Sequence, residues 1–247
     1  MGILEIKDVY KSFGGLMAIE CVSMDIQEQE VCSIIGPNGA GKTTLFNVVS
    51  GRFPPDDGHV SFQGMEITGK PAHRIVSMGI GRTFQITNIF PLLSAFENIQ
   101  AAVIKNRNKS FTFFRSAKRI QEIQDDAWQI LKEIELVDQA EVISGHMPYG
   151  DQRRLEIGIA LANRPSLLLL DEPTAGMSPE ETRSTVRLIE RLIKERKMTL
   201  FVIEHDMDVV FSISDRIYVL HQGALIAEGS PEEVAKNQDV IGAYLGE

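Results

Sequence analysis

One short segment constrains the fold of this chain more than any other: Gly36-Pro-Asn-Gly-Ala-Gly-Lys-Thr-Thr44. It follows the apolar run Val31–Ile35 and precedes an amphipathic pattern over Lys42–Ser50. Because apolar runs bounded by turn residues are typical of buried parallel strands, this order predicts a strand, a tight glycine turn and a helix. A strand that leads directly into a helix is the repeating unit of an α/β fold.

The glycines and the lysine match the pattern G-x-x-x-x-G-K-[ST] of a P-loop, whose backbone amides surround nucleotide phosphates. Glycine lets the backbone approach phosphate oxygens closely, and the N-terminus of the following helix adds the positive end of a dipole. We expect Lys42 to bind the β- and γ-phosphates of ATP and Thr43 to bind Mg²⁺. The residues predicted to contact the nucleotide are Gly36, Pro37, Asn38, Gly39, Ala40, Gly41, Lys42, Thr43 and Thr44.

A second candidate site is the acidic pair Asp171-Glu172, which follows the apolar run Leu167–Leu170. Mg²⁺ prefers hard oxygen ligands, so we expect Asp171 to hold the metal directly or through water. Glu172 is one residue further along and faces elsewhere, so it is the candidate general base that polarises the attacking water. The sequence therefore predicts a nucleotide hydrolase in which Lys42 and Glu172 both take part in catalysis.

Composition limits the classes of partner. The net charge of −9 argues against nonspecific binding to nucleic acid or anionic lipid, which both reward a basic surface. No apolar run approaches the roughly 18 residues that span a bilayer, so we expect no direct membrane insertion. We predict that Cys21 and Cys32, which lie in apolar runs, are buried free thiols of a cytoplasmic protein.

Short apolar runs alternate with helical patterns along most of the chain, as in an α/β protein. Between about Ser94 and Ala162 the strand pattern stops, and apolar residues from Ala127 to Leu136, with Trp128 predicted as core, repeat at helical spacing. We predict one domain over 1–247, with an inserted helical subdomain at 90–160 and a short C-terminal helix and tail at 230–247. The predicted strands are Leu4–Val9, Ala18–Ile26, Glu30–Ile35, His59–Phe62, Ser166–Leu170, Thr199–Ile203, Arg216–Leu220 and Ala224–Glu228.

Taken together, these motifs resemble the ATP-binding subunits of ABC transporters over essentially the whole chain. The resemblance implies an α/β fold: a P-loop NTPase (RecA-like) core with an antiparallel β layer and an inserted α-helical subdomain. It also implies ATP and Mg²⁺ as cofactors, and an ATPase coupled to transmembrane transport. Such a subunit would act as a dimer, bound through permease subunits to the cytoplasmic face of the inner or plasma membrane.

Three further site residues follow from the resemblance. Gln85, in Gly81-Arg-Thr-Phe-Gln85, matches the glutamine loop, which contacts Mg²⁺ or the attacking water in the family. His205 matches the switch histidine that reaches the γ-phosphate, so it joins Gln85 as a candidate catalytic residue. Phe13 matches the aromatic residue that stacks on adenine, and a core aromatic is the alternative interpretation.

The family's signature, typically L-S-G-G-Q, aligns with Met147-Pro-Tyr-Gly-Asp151. Tyr149 and Gly150 are expected to contact the nucleotide held by the opposite subunit. Pro148 replaces the serine and supplies neither its hydroxyl nor a backbone N–H. We therefore expect the site completed by this chain's signature loop to be impaired, and the site built on its P-loop to be competent. The family's D-loop aspartate is also replaced, by Ser178.

Several stretches resemble the longer ATPase subunit of branched-chain amino-acid uptake systems. They are Gly79–Gln85, Arg153–Ile157, Asp171–Met177 and Ala227–Glu233. This implies a second, different ATPase subunit, permease subunits and, indirectly, a solute-binding protein as partners, and no nucleic acid. Two alternatives remain open: the ATPase subunit of a lipid or lipopolysaccharide exporter, and an ATP-binding regulatory subunit with one degenerate site.

Overall fold

The computed structural model of the chain describes residues 2–83, 89–107 and 117–245. In chain order the strands are β1 (Leu4–Phe13), β2 (Leu16–Ile26), β3 (Val31–Ile35), β4 (Asp57–Phe62), β5 (Met65–Glu66), β6 (Ile80–Arg82), β7 (Leu167–Asp171), β8 (Thr199–Ile203), β9 (Arg216–His221) and β10 (Ala224–Gly229). The helices are α1 (Lys42–Val49), α2 (Ala72–Met78), α3 (Ala95–Arg107), α4 (Ala117–Glu133), α5 (Tyr149–Leu161), α6 (Pro179–Arg196), α7 (Met207–Ile213), α8 (Pro231–Lys236) and α9 (Gln238–Leu245). Each of the eight predicted strands is present, and the short strands β5 and β6 were not predicted.

The central sheet has the strand order β10-β9-β3-β8-β7-β6. Its pairs are parallel from β9 to β6, and only β10 runs antiparallel to its neighbour β9. The register aligns Ile34 of β3 and Asp171 of β7 with the same residue of β8, Ile203. Because parallel strands end at the same edge of a sheet, this register brings the glycine loop, the acidic pair and the segment after β8 together.

A second sheet is antiparallel, with the order β2-β1-β4-β5. Its first hairpin is longer than predicted, because β1 continues to Phe13 and β2 begins at Leu16. The turn consists of Gly14 and Gly15, with φ of +55° and +90°. Two-residue hairpin turns of this kind need positive φ at both positions, which glycine adopts without strain. Phe13 therefore lies at a hairpin end rather than in the core.

The segment from α3 to α5 is a helical layer that packs through its own apolar face. Ala127, Leu131 and Ile134 are fully buried there, in one cluster with residues of β7 and β8. Trp128 was predicted as core, and that prediction is wrong: the side chain is 41% exposed and stacks on Phe96, with ring centroids 5.0 Å apart. Adjacent positions on a helix point about 100° apart, so Trp128 lies at the edge of the face that Ala127 buries.

The two cysteines differ in environment. Cys32, in the central strand β3, is buried as predicted, and burial raises the pKa of its thiol well above the ordinary value. Cys21 is exposed, so the prediction of two buried thiols is wrong for this residue. Successive side chains of a strand point to opposite faces, and in β2 the neighbouring Val22 is the one that faces the core.

The C-terminal segment forms two short helices, α8 and α9, where the sequence predicts one helix and a tail. Ser230 and Glu233 cap α8 reciprocally: the Glu233 carboxylate accepts from Ser230 N, and Ser230 Oγ accepts from Glu233 N. Among the described residues, no helix combines the length and apolar character that crossing a bilayer requires.

Candidate functional site

The glycine loop after β3 is pressed against its neighbours, which explains two of its glycines. A Cβ added at Gly36, whose φ is +146°, would lie 1.9 Å from the carbonyl oxygen of Leu220. One added at Gly41, with φ of +106°, would lie 2.4 Å from the carbonyl oxygen of Ala18. The loop thus keeps its shape because β9 and β2 support it from behind, independently of any ligand.

Lys42, the first residue of α1, folds back into this loop. Its side chain is buried, and Nζ donates hydrogen bonds to the carbonyl oxygens of Gly36 at 2.6 Å and Pro37 at 2.9 Å. The ammonium group is therefore held within the loop by the loop's own backbone. A fixed positive charge beside glycine-rich backbone is the arrangement that binds phosphate groups.

A cavity of about 530 Å³ lies over the loop, within the size range of small-molecule sites. It brings together residues predicted separately from four parts of the sequence. The predicted residues lining it are Phe13, Asn38, Gly39, Ala40, Gly41, Lys42, Thr43, Thr44, Glu172 and His205. Gly36 and Pro37, also predicted to contact the nucleotide, are not among the described residues that line the cavity, and their carbonyl oxygens accept hydrogen bonds from Lys42.

Phe13 borders the cavity from the β1–β2 hairpin. Its side chain is 42% exposed, which excludes the interpretation of a core aromatic. Phe53 packs edge-on against the ring, with centroids 5.4 Å apart and an interplanar angle of 74°. The Lys11 ammonium lies over the Phe13 ring, 5.4 Å from its centroid, so the ring has both an aromatic and a cationic neighbour at the edge of the cavity.

Asp171 ends β7 with its side chain almost completely buried, at 1% exposure. Oδ2 accepts a hydrogen bond from Arg82 Nη2 at 3.0 Å, while Oδ1 has no hydrogen-bond partner among the described residues. Burial raises the pKa of this carboxyl above its ordinary value, and the Arg82 guanidinium opposes the shift. Thr43 lines the cavity and Asp171 does not, but a hydroxyl and an unpaired carboxylate oxygen are the ligand types that fit Mg²⁺, which needs few protein oxygens when phosphates supply others.

Glu172 turns away from the strand at the next position. Its backbone has a φ of +51°, in the left-handed region that costs a non-glycine residue roughly 1–2 kcal/mol. This conformation directs the side chain into the cavity, where Oε1 lies 2.8 Å from His205 Nε2. The structure therefore brings Glu172 and His205 into direct contact, although 33 positions separate them in the sequence. Backbone strain of this kind is found at functional sites.

Arg82 belongs to this site although no sequence motif points to it. It is almost fully buried, at 5% side-chain exposure, and connects three elements. Besides the contact with Asp171, Nη1 donates to Asn47 Oδ1 at 2.8 Å and to Ser50 Oγ at 2.6 Å. An arginine in a three-residue strand has no pattern that would predict burial, so its partners become evident only in three dimensions.

The signature segment lies elsewhere in the chain. Pro148 caps the N-terminus of α5 through its carbonyl oxygen, which accepts from Asp151 N and Gln152 N, each at 3.0 Å. Tyr149 and Gly150 are not among the described residues that line the cavity over the P-loop. The structure therefore does not bring these two predicted nucleotide contacts together with the others within one chain.

Ser178 is not among the described residues that line the cavity over the P-loop. Ser178 is the N-cap of α6, where its Oγ accepts from Glu181 N and its own N donates to the Glu181 carboxylate. This helix cap gives a physical reason for serine at the D-loop position. Gln85, predicted for both catalysis and metal binding, lies outside the described residues.

Two protein-family models match different parts of this chain. The family model described as ABC transporter matches residues 19–175. This chain belongs to the ABC transporter family. A second model, described as branched-chain amino acid ATP-binding cassette transporter, matches residues 224–247, the segment from β10 to the C-terminus. The predicted fold, the family and the class of activity, an ATPase coupled to transport, are confirmed.

Its relatives include two bacterial transport proteins. The chain is 43% identical to the high-affinity branched-chain amino acid transport ATP-binding protein BraF of Pseudomonas aeruginosa, over 99% of this chain and 98% of that protein. It is 40% identical to the corresponding protein LivG of Escherichia coli K12, with the same coverage.

Solved structures of the family have the same fold. The ADP conformation of MJ1267, an ATP-binding cassette of an ABC transporter, superposes with a TM-score of 0.87 at 29% identity, covering 100% of both chains. A dimeric post-hydrolysis cassette, MJ0796 bound to ADP and Pi, gives 0.78 at 28% identity, covering 92% of this chain and 98% of that one.

The support behind the P-loop can be tested with a matched pair of glycine substitutions. Gly36→Ala is expected to lower the free energy of unfolding by about 3 kcal/mol or more, because its Cβ would overlap the Leu220 carbonyl oxygen. Gly39→Ala is the control: its φ is +79°, but no atom lies within 4 Å of its Cβ, so only backbone strain of about 1–2 kcal/mol remains. Urea denaturation without nucleotide measures both, and equal losses would contradict the steric explanation.

The buried Arg82–Asp171 pair gives a second prediction. Arg82→Ala leaves a buried carboxylate without its cation and is expected to cost about 3–5 kcal/mol of unfolding free energy. Arg52→Ala, an exposed arginine nearby, is the matched control and should stay within about 0.5 kcal/mol. In a double-mutant cycle, Arg82→Ala and Asp171→Ala should be clearly less than additive. Additive losses would mean that the two side chains do not stabilise each other.

Proposed function

We propose that this chain binds and hydrolyses ATP to power a membrane importer of branched-chain amino acids. The ATPase part is supported above all by the cavity in which the P-loop, Glu172 and His205 meet. The substrate class is supported by the relatives, both named for branched-chain amino acid transport, and by the C-terminal family match.

The proposed chemistry is in-line attack of water on the γ-phosphate of ATP. Glu172 accepts a proton from the attacking water while the new bond to phosphorus forms and the bond to the leaving ADP oxygen breaks. His205, whose Nε2 lies 2.8 Å from Glu172 Oε1, holds that carboxylate. In this proposal its imidazole would also contact the γ-phosphate. Lys42 and the loop amides stabilise the phosphate charge, and Phe13 stacks on the adenine.

Mg²⁺ is part of this proposal. Thr43 and Asp171 would hold the ion, and Gln85 would act there as the third predicted ligand. When bound, the metal neutralises charge on the β- and γ-phosphates. The buried, unpartnered Oδ1 of Asp171 supports this assignment, since a buried carboxylate oxygen otherwise lacks compensation for lost hydration.

The partners we propose are a second ATPase subunit, transmembrane permease subunits and, indirectly, a solute-binding protein. Tyr149 and Gly150, outside the cavity over their own P-loop, would contact the nucleotide held by the second subunit. The dimeric cassette structures of the family support such an arrangement. Because Pro148 provides no donor there, we propose a second subunit of different sequence and two unequal ATP sites. Peripheral attachment at the cytoplasmic face of the membrane follows from the permease contacts.

Substitution of the proposed general base tests the activity. Glu172→Gln removes the proton acceptor but keeps the size of the side chain, so hydrolysis should fall at least about a hundredfold while ATP binding persists. Glu195→Gln, an exposed residue in the last turn of α6, is the matched control and should hydrolyse ATP normally. Phosphate release and nucleotide titration measure the two properties. Undiminished turnover in Glu172→Gln would refute its role as base, and inactivity of the native chain even when co-purified with its partner subunits would favour a regulatory subunit.

The substrate class has its own test. The chain, co-purified with its permease subunits and reconstituted in proteoliposomes with the solute-binding protein, should hydrolyse ATP faster when leucine, isoleucine or valine is added. An acidic amino acid such as glutamate serves as the control solute and should leave ATP turnover at its basal rate. If lipid or lipopolysaccharide stimulated ATP turnover instead, the chain would be the ATPase subunit of an exporter and not of an amino-acid importer.

A further inference from the structure

Glu204 is a buried carboxylate next to the proposed catalytic residues, and the mechanism above does not use it. It is the first residue after β8, immediately before His205, and is only 3% exposed. A buried carboxylate is costly unless hydrogen-bond donors replace the water that it has lost. The hydrogen-bond donors around Glu204 therefore show what stabilises the buried carboxylate.

Both oxygens of Glu204 accept hydrogen bonds, and they connect two different segments. Oε1 accepts from the backbone N of Thr174, at 2.9 Å, and from the Thr174 hydroxyl. Oε2 accepts from the backbone N of His205 at 2.9 Å. One carboxylate thus joins the segment after β7 to the segment after β8.

These two segments carry the proposed catalytic pair. Thr174 follows Glu172 by two positions, and the backbone N of Glu172 donates to the carbonyl oxygen of Ile203 at 2.9 Å. Together with the contact between Glu172 and His205, these hydrogen bonds and the intervening backbone close a ring that includes Glu204. We propose that Glu204 is a positioning residue that fixes Glu172 and His205 relative to each other; this inference depends on the proposed ATPase function.

The geometry explains why a carboxylate is needed here. All three partners are donors, and a carboxylate accepts through both oxygens and donates through neither. An amide of the same shape could accept from Thr174 with its oxygen, but its NH₂ group would then face the His205 N–H. The side chains of Glu172 and His205 are both partly exposed, so little packing replaces this restraint. Misplacement of a reacting group by about 1 Å can lower a rate about a hundredfold.

Three substitutions in the full chain separate positioning from general stability. Glu204→Gln removes one acceptor, Thr174→Val removes the hydroxyl donor, and Thr174→Ser retains it. Amide hydrogen exchange reports the hydrogen bonds directly and does not depend on ATP turnover. In Glu204→Gln we expect the His205 amide to exchange about tenfold faster or more, while the Thr174 amide changes less.

Steady-state kinetics of the chain co-purified with its partner subunits then test the functional consequence. Glu204→Gln and Thr174→Val should lower kcat about tenfold or more with KM for ATP within about twofold, and Thr174→Ser should retain the native kcat. Native kcat in Glu204→Gln and Thr174→Val would overturn the proposal, and so would equal losses in Thr174→Val and Thr174→Ser. If Glu204→Gln does not fold, the two Thr174 variants decide between these outcomes.

Different results would refute the ATPase function and the positioning role of Glu204. If the native chain hydrolyses no ATP even when co-purified with its partner subunits but the exchange rates change as expected, the ATPase function fails and the hydrogen-bonded ring stands as a structural device only. If the native chain is active and the exchange rate of His205 is unchanged in Glu204→Gln, the positioning role fails and the ATPase function remains.

Discussion

The site depends on the hydrogen-bonded register of β8 between β3 and β7. Ile203 of β8 pairs with Ile34 on one side and with Asp171 on the other, so three chain segments leave the sheet at the same level. A slip of one residue in either pair would turn buried side chains outward and separate the acidic pair from the P-loop. Arg82 and Glu204 strengthen this arrangement at two points, the first through Asp171 and the second through Thr174.

Features encoded by local patterns could be predicted from the sequence. The P-loop and the apolar run before Asp171 are each a continuous stretch of sequence. Their residue types alone explain the glycine turn and the buried strand that they form. Arg82 and Glu204 could not be found in this way, because their meaning depends on partners that are distant in the chain: Arg82 lies 89 positions from Asp171, and Glu204 lies 30 from Thr174. A charged residue beside a strand looks exposed until the sheet is assembled.

Smaller differences have equally local causes. Trp128 and Cys21 were assigned to the core from apolar surroundings, but each lies next to the residue that its helix or strand buries. Pattern arguments identify the element more reliably than the orientation of a residue at the edge of its buried face. The β1–β2 hairpin extends beyond the two predicted strands. None of residues 10–13 and 16–18 is buried, so this part of the hairpin shows no alternation of buried apolar side chains.

The contact of Gly36 with β9 distinguishes residues that the fold requires from residues that the reaction requires. The Leu220 carbonyl oxygen excludes any side chain at position 36 whether or not a phosphate ever binds. A chain of this fold that had lost hydrolysis would still lose stability without Gly36, whereas the packing gives no comparable steric reason for an acid at position 172. Gly36 is thus required by the architecture of the sheet, whereas Glu172 is required only by the hydrolysis that we propose.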